Sequence, residues 1–256
     1  ALRGDVACTV TVRTLQFPVH SGMFGGAAPD AVTAMIRILD TLHDENGDTV
    51  IPGVDTSSWS GAAMDEDVYR EGSAILPGVD YLGTGSLSDR IWAKPSVTVL
   101  GMDLPNTTEA SNVLLPEITA KLSMRIVPGS DGEAQLEALM SHLRSQRPWN
   151  CEVEVNRVKV GHAFAVDESH PAIVAANAAL EGAYGASVES IGSGASIPLV
   201  ASLKKVSPDA AIILWGAEDT AKSRIHASDE SVDPAEIERM IAAQVLFIEK
   251  FVAAEQ

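Results

Sequence analysis

Nine consecutive residues, Ile118 to Ile126, alternate without a break between apolar and polar side chains. Ile118, Ala120, Leu122, Met124 and Ile126 point one way; Thr119, Lys121, Ser123 and Arg125 point the other. A period of two marks a strand with one face buried and one face wet. This segment therefore commits the chain to a sheet that is covered on one side. Val6, Cys8, Val10 and Val12 repeat the pattern near the start, with Thr9, Thr11 and Arg13 opposite. SVTVLGMD and CEVEVNRVKV supply two more strand signals. Between the strands lie two helical patterns. One follows Pro29, read as a first helical position, with Val32, Met35, Ile36, Leu39 and Leu42 at helical spacing, and ends at Asn46-Gly47. The other follows PGSDGE and carries Leu136, Leu139, Met140 and Leu143. The order is βαββαβ, which predicts a ferredoxin-like α+β layer: four antiparallel strands with two helices on one face.

From about Asp48 to Lys94 the chain is rich in Gly, Ser, Asp and Pro. It reads as a long insertion with one short helix near Met64 to Arg70, and insertions of that length are usually functional or a lid. After Gly161 the character changes. His170-Pro171 opens an Ala-rich helix that ends near Tyr184-Gly185. A turn, IGSGASIP, follows, then AAIILWG, a short buried strand signal. Asp233, Pro234 and Glu236 start a last amphipathic helix through Ile237, Met240, Ile241, Val245, Ile248 and Val252. The expected division is residues 1–161 and 162–256, the second being part of an α/β domain.

Composition sets outer limits. Lys plus Arg number 18 against 35 Asp plus Glu, a formal charge of −17. So acidic a chain repels phosphate backbones and anionic membranes, so neither nucleic acid nor membrane is an expected partner. The longest strongly apolar run, AAIILW, is far shorter than a membrane span. Two cysteines, Cys8 and Cys151, give no disulfide scaffold. No signal peptide is visible at the start, and the expected location is cytoplasmic.

Six histidines are present, with neither an HExxH pair nor cysteines at ligand spacing, so local spacing gives no complete metal site. His43 and His142 fall on predicted helices and read as structural. His20 sits in HSGMFGG, where glycines let backbone approach a ligand; a plain βα turn or a weak anion loop fits equally. His226 lies in an acidic loop with Glu218, Asp219, Asp229 and Glu230 nearby, which suits a metal ligand or simply a solvated loop. Arg125 can pair bidentately with a carboxylate, although spacing alone favours a surface arginine. Asn112 reads as a turn residue or a contact, and IGSGASIP as an anion-binding turn or a tight connection.

In order, RGD near the start, HSGMFGG, SNVLLP before MRIVPGSD, GSGASIP, and GAED with IHASDES resemble the dizinc metallopeptidases that include carnosinase-like dipeptidases, aminoacylases and carboxypeptidase G. The likeness runs from Arg3 to about Phe251, and the long insertion resembles the dipeptidase branch. The resemblance implies a ferredoxin-like dimerisation lid up to about Gly161, followed by the closing part of an α/β catalytic domain that holds two zinc ions. It implies that His226 is a zinc ligand, with Glu230 at most supporting it. It implies that His20 reaches the partner subunit's active site and stabilises the oxyanion. It implies that Asn112, Arg125, Gly194 and Ser196 hold the substrate, a small peptide or an N-acyl amino acid with a free carboxylate. The family's His-x-Asp segment, bridging Asp, Glu-Glu pair (whose first Glu is the general base) and further carboxylate ligand have no counterpart here. The chain is therefore expected to be the C-terminal portion of a homodimeric amide hydrolase, with an absent or incomplete zinc site and no activity alone. The other reading is a non-catalytic dimerisation module; an unrelated α+β binding domain would leave the ordered motifs to coincidence.

Overall fold

The computed structural model describes all residues except 1, 165, 193–198, 201–202, 204–205, 208, 218–222, 225–227 and 255–256. The chain forms two compact units, one of Ala1–Ser60, Asp80–Phe164 and Gly192–Pro198, the other of Gly61–Val79, Ala165–Ile191 and Leu199–Gln256.

The first unit is built on β1 (Gly4–Arg13), β3 (Ser96–Met102), β5 (Glu117–Ile126) and β6 (Glu152–Gly161). They form one sheet in the order β3-β5-β1-β6, with every neighbour antiparallel. With α2 (Ala31–Asp40) between the first two strands and α4 (Gly132–Ser145) between the last two, this is the ferredoxin-like arrangement that the strand order predicts. The alternation explains the core. Val6, Cys8, Val10 and Val12 of β1 and all five apolar residues of Ile118–Ile126 are buried. They meet Ala31, Ala34, Met35 and Ile38 of α2 and Leu136, Leu139, Met140 and Leu143 of α4 in one core. The open face stays polar and pairs with itself. Thr11 and Thr119 share a hydrogen bond at 2.8 Å, and Arg13 bridges Glu117 and Glu154.

The start and buried face of α2 differ from the sequence expectation. Its cap is Asp30, whose carboxylate accepts the Thr33 N–H at 3.1 Å, so Pro29 precedes the cap and the helix starts at Ala31. The buried stripe runs through Ala31, Ala34, Met35, Ile38 and Leu42, and Ile36 is 58% exposed. Small alanines let the helix lie close to the sheet, which turns Ile36 outward. The helix ends at Asp40, with Thr41 as its C-cap, ahead of Gly47.

A two-stranded ladder at one end of this unit pairs β2 (Val19–His20) with β4 (Val113–Leu114). The single turn α1 (Ser21–Phe24) follows β2 directly. A π-helical turn, Asp89–Ala93, leads into β3 and buries Trp92, whose ring packs on Trp59 at 5.0 Å between centroids.

In the second unit are α3 (Glu66–Ser73), α5 (Pro171–Tyr184) and α6 (Pro234–Ala254). His170 caps α5 by accepting the Ala172 N–H at 3.1 Å, and Gly185 closes it with a φ of 67°. Helices α5 and α6 pack together, with small residues, Ala175, Ala176, Ala179 and Ala243, buried. The apolar stripe expected on the last helix is present but outward: Ile237, Ile241, Val245, Ile248 and Val252 are 41–61% exposed. Residues 210–216, read as a strand, form no ladder among the described residues. Trp215 instead packs on Phe247. A strand is a property of a pair, and an apolar run alone does not supply the partner. Among the described residues no helix is long and apolar enough to cross a membrane.

Candidate functional site

His20 and Asn112 come together. Each lies in or beside the β2–β4 ladder, where His20 is the register partner of Val113. The Ser21 N–H donates to the Asn112 carbonyl at 2.9 Å. Asp30 locks the two loops further: its second carboxylate oxygen accepts the Leu115 N–H at 3.0 Å, and the Ala31 N–H donates to the Leu115 carbonyl at 3.1 Å. The Thr14 N–H donates to the Pro116 carbonyl at 2.9 Å and ties this end to β1. Both candidate side chains are exposed, so each is free to meet something outside the unit.

The orientation of His20 follows from its own backbone. It caps α1, and its Nδ1 accepts the Gly22 N–H at 3.1 Å. A backbone N–H can only donate, so Nδ1 carries no proton and the neutral ring has its proton on Nε2. The ring thus presents a hydrogen-bond donor outward. A Cβ at Gly22 would lie 3.0 Å from His20 Cε1 and 3.2 Å from Nδ1, so the glycine leaves room for this ring position.

Arg125 is elsewhere. It lies near the end of β5, opposite Asp5 of β1 and Ser96 of β3, eight residues from Glu117, where β5 begins beside the His20 loops. At about 3.3 Å per residue the separation along the sheet is about 26 Å. The Arg125 guanidinium makes no hydrogen bond or ion pair with another described residue. Asp5, the carboxylate opposite it in register, is taken: Ser123 Oγ donates to Oδ1 at 2.6 Å and Lys159 Nζ to Oδ2 at 2.6 Å. Burial alone would raise the Asp5 carboxyl, but the Lys159 and Ser123 hydrogen bonds and the Arg125 charge hold it below its ordinary value. The Arg125 fork is therefore open to an external anion.

Gly194, Ser196 and His226 lie outside the described residues. Among the described residues no three His, Cys, Asp or Glu side chains are grouped to hold a metal ion. Sequence reasoning missed the clamping role of Asp30 and the placing role of Gly22. The first depends on where residue 115 arrives in space. The second is legible as a glycine two residues after a histidine at a helix start.

Residues 2–151 match the peptidase dimerisation domain of the M20 family. The chain is 39% identical over 251 residues to the cysteinylglycine-S-conjugate dipeptidase of Corynebacterium striatum, covering 96% of this chain and 55% of that protein. The chain belongs to the M20 peptidase family. The human Beta-Ala-His dipeptidase is 20% identical over 90% of this chain and 48% of its own length. The structure of an M20 family metallo-carboxypeptidase from Sulfolobus solfataricus superposes with a TM-score of 0.72 at 18% identity, covering 98% of this chain and 59% of that one. A di-peptidase from Saccharomyces cerevisiae gives 0.70 at 18% identity, covering 98% and 55%. Those two likenesses speak to the fold. The chain spans about half the length of the curated relatives it matches.

Proposed function

We propose that this M20 chain is the dimer-forming and substrate-holding portion of a metal-dependent dipeptidase, acting on small peptides, or N-acyl amino acids, with a free carboxylate. The observation that carries the reading is the separation of its site residues. His20 and Asn112 are clamped at one end of a rigid sheet, and the open Arg125 fork lies about 26 Å away at the other. An extended dipeptide spans only about 7 Å. One protomer cannot place both ends on one substrate. Two copies related by a two-fold axis can, with Arg125 of one protomer facing His20 and Asn112 of its partner.

In this arrangement Arg125 grips the substrate carboxylate with two parallel N–H donors and fixes the peptide by its end. His20, arriving from the partner with its proton on Nε2, donates to the oxygen of the scissile amide as negative charge develops there. The Asn112 amide holds the substrate beside it. Gly194 and Ser196 are assigned to the same carboxylate, and His226 to zinc. Among the described residues no ligand set is assembled, and the residues named above are the ones this chain supplies beside the metal. What supports the dipeptidase assignment is the similarity to the Corynebacterium striatum enzyme across 96% of the chain.

The catalytic apparatus is assigned to a longer gene product, with the 256-residue chain inactive alone. Zinc content and dipeptide hydrolysis measured on both test this. The expected result is turnover by the longer protein and none by the chain. Turnover by the chain alone, or none by the zinc-loaded longer protein, contradicts the proposal. The family match to a dimerisation domain also admits a module that only pairs. That reading predicts a dimer whose partner protein shows no peptidase activity.

A further inference from the structure

The Arg125 end of the sheet holds a second guanidinium with no role in the proposed substrate grip. Arg3 is 6% exposed. Its Nη1 donates to the Ile91 carbonyl at 2.9 Å, and its Nη2 to the Lys94 carbonyl at 2.7 Å and to Ser96 Oγ at 3.1 Å. All three acceptors are neutral, and Nε is buried without a partner. Ser96 is the register partner of Arg125, so the two side chains share a face of the sheet, and Arg3 is bonded to the Ser96 hydroxyl of that pair. Asp5, on the other side of Arg125, is already held by Ser123 and Lys159. The one carboxylate opposite Arg125 is thus already bonded to Lys159, and Arg3 has only neutral acceptors, within a chain of net charge −17.

A buried cation with no counter-ion is unfavourable, and dipoles offset only part of that. Burial first, and the Arg125 charge second, bring the Arg3 pKa down to about 10, which leaves it cationic at neutral pH. The repulsion between two neighbouring guanidinium groups is relieved when an anion arrives, and a half-buried pair is screened less by salt than an exposed one.

We propose that Arg3 is a positioning residue of the Arg125 anchor: its fixed charge, bonded to the Ser96 hydroxyl, raises the affinity of the fork for a carboxylate and favours peptide acids over their neutral amides. This rests on the assignment of Arg125 to the substrate carboxylate. The ordinary alternative is a staple that only joins the start of β1 to the turn before β3.

The test measures KM and kcat in the active enzyme for a dipeptide and for its C-terminal amide. Arg3→Gln keeps a donor and removes the charge; Arg3→Lys keeps the charge with fewer donors. The charge account predicts that Arg3→Gln raises KM for the acid about tenfold, leaves KM for the amide and both kcat values near wild type, and so shrinks the acid-to-amide preference, while Arg3→Lys retains most of it. A preference unchanged in Arg3→Gln, or acid and amide impaired alike, overturns the proposal. Arg125→Met with wild-type preference overturns the underlying assignment of Arg125, whatever Arg3 does. Should Arg3→Gln fail to fold, the unaltered protein is titrated with N-acetylglycinate and N-acetylglycinamide while the 15Nε resonances of both arginines are followed. Joint shifts with the acid alone support the coupling; movement of Arg125 with Arg3 unmoved contradicts it.

Discussion

At the scale of single residues, the molecule prepares its side chains through backbone geometry. His20 has its tautomer chosen by one N–H, that of Gly22. A long-range 15N–1H spectrum is expected to show the His20 proton on Nε2. A proton on Nδ1 would contradict the capping geometry. His20→Ala removes the donor and is expected to lower kcat about 10²-fold with little change in KM or metal content, as loss of a single oxyanion donor does. Gly22→Ala, which crowds the ring at 3.0 Å, should lower kcat in the same sense but less. Equal kcat in both variants and wild type would remove His20 from the chemistry. His20 is legible in the sequence because a histidine among glycines between strand and helix is an unusual setting. Asp30 and Arg3 are not, because their partners, Leu115 and the Ile91 and Lys94 carbonyls, are 85 or more residues away.

At the scale of elements, the strands are readable because period two survives any tertiary context that covers one face. The α2 face is less legible, since alanines carry little hydrophobic signal yet decide the closest approach to the sheet. Ile38→Ala, at the centre of that contact, is expected to lower stability by about 2–5 kcal/mol, read from denaturant midpoints. The insertion ahead of β3 is held by polar groups that no periodicity reveals. Asp48 accepts from Lys94 Nζ at 2.9 Å and from the Thr84 N–H at 2.9 Å, and Lys94 also donates to the Thr84 carbonyl at 2.7 Å. Burial raises the Asp48 carboxyl, but the Thr84 and Lys94 hydrogen bonds outweigh it and hold the group below its ordinary value. Asp89 is likewise held low by Ser86 and the Trp59 N–H. A carboxyl lowered in the folded state stabilises above its unfolded pKa of about 3.9, and that contribution is lost as pH falls through the folded value. The insertion is therefore expected to loosen below about pH 4, and Lys94→Met to cost about 1–3 kcal/mol at neutral pH. Tryptophan fluorescence from Trp59 and Trp92 reports both. Emission unchanged down to pH 2 would contradict the account.

At the scale of the whole molecule, the two units differ in what they bury. The first has a core of large side chains from four strands and two helices, most of them fully shielded. In the second, α5 and α6 meet through alanines while the larger residues of α6 face outward. The sequence shows the amphipathic stripe on that last helix but not what covers it. Amide exchange in the isolated chain is expected to be slower in β1 and β5 than in α5 and α6. Uniform protection would contradict that ranking. The central claim is that the ends of one sheet serve two different sites. Mixed dimers test it most directly. A His20→Ala protomer and an Arg125→Met protomer of the active enzyme, each strongly impaired as a homodimer, are combined and assayed for dipeptide hydrolysis. The account predicts recovery toward half of wild-type activity, because one of the two composite sites regains both residues. No recovery in verified mixed dimers would show that His20 and Arg125 do not meet across the two-fold axis.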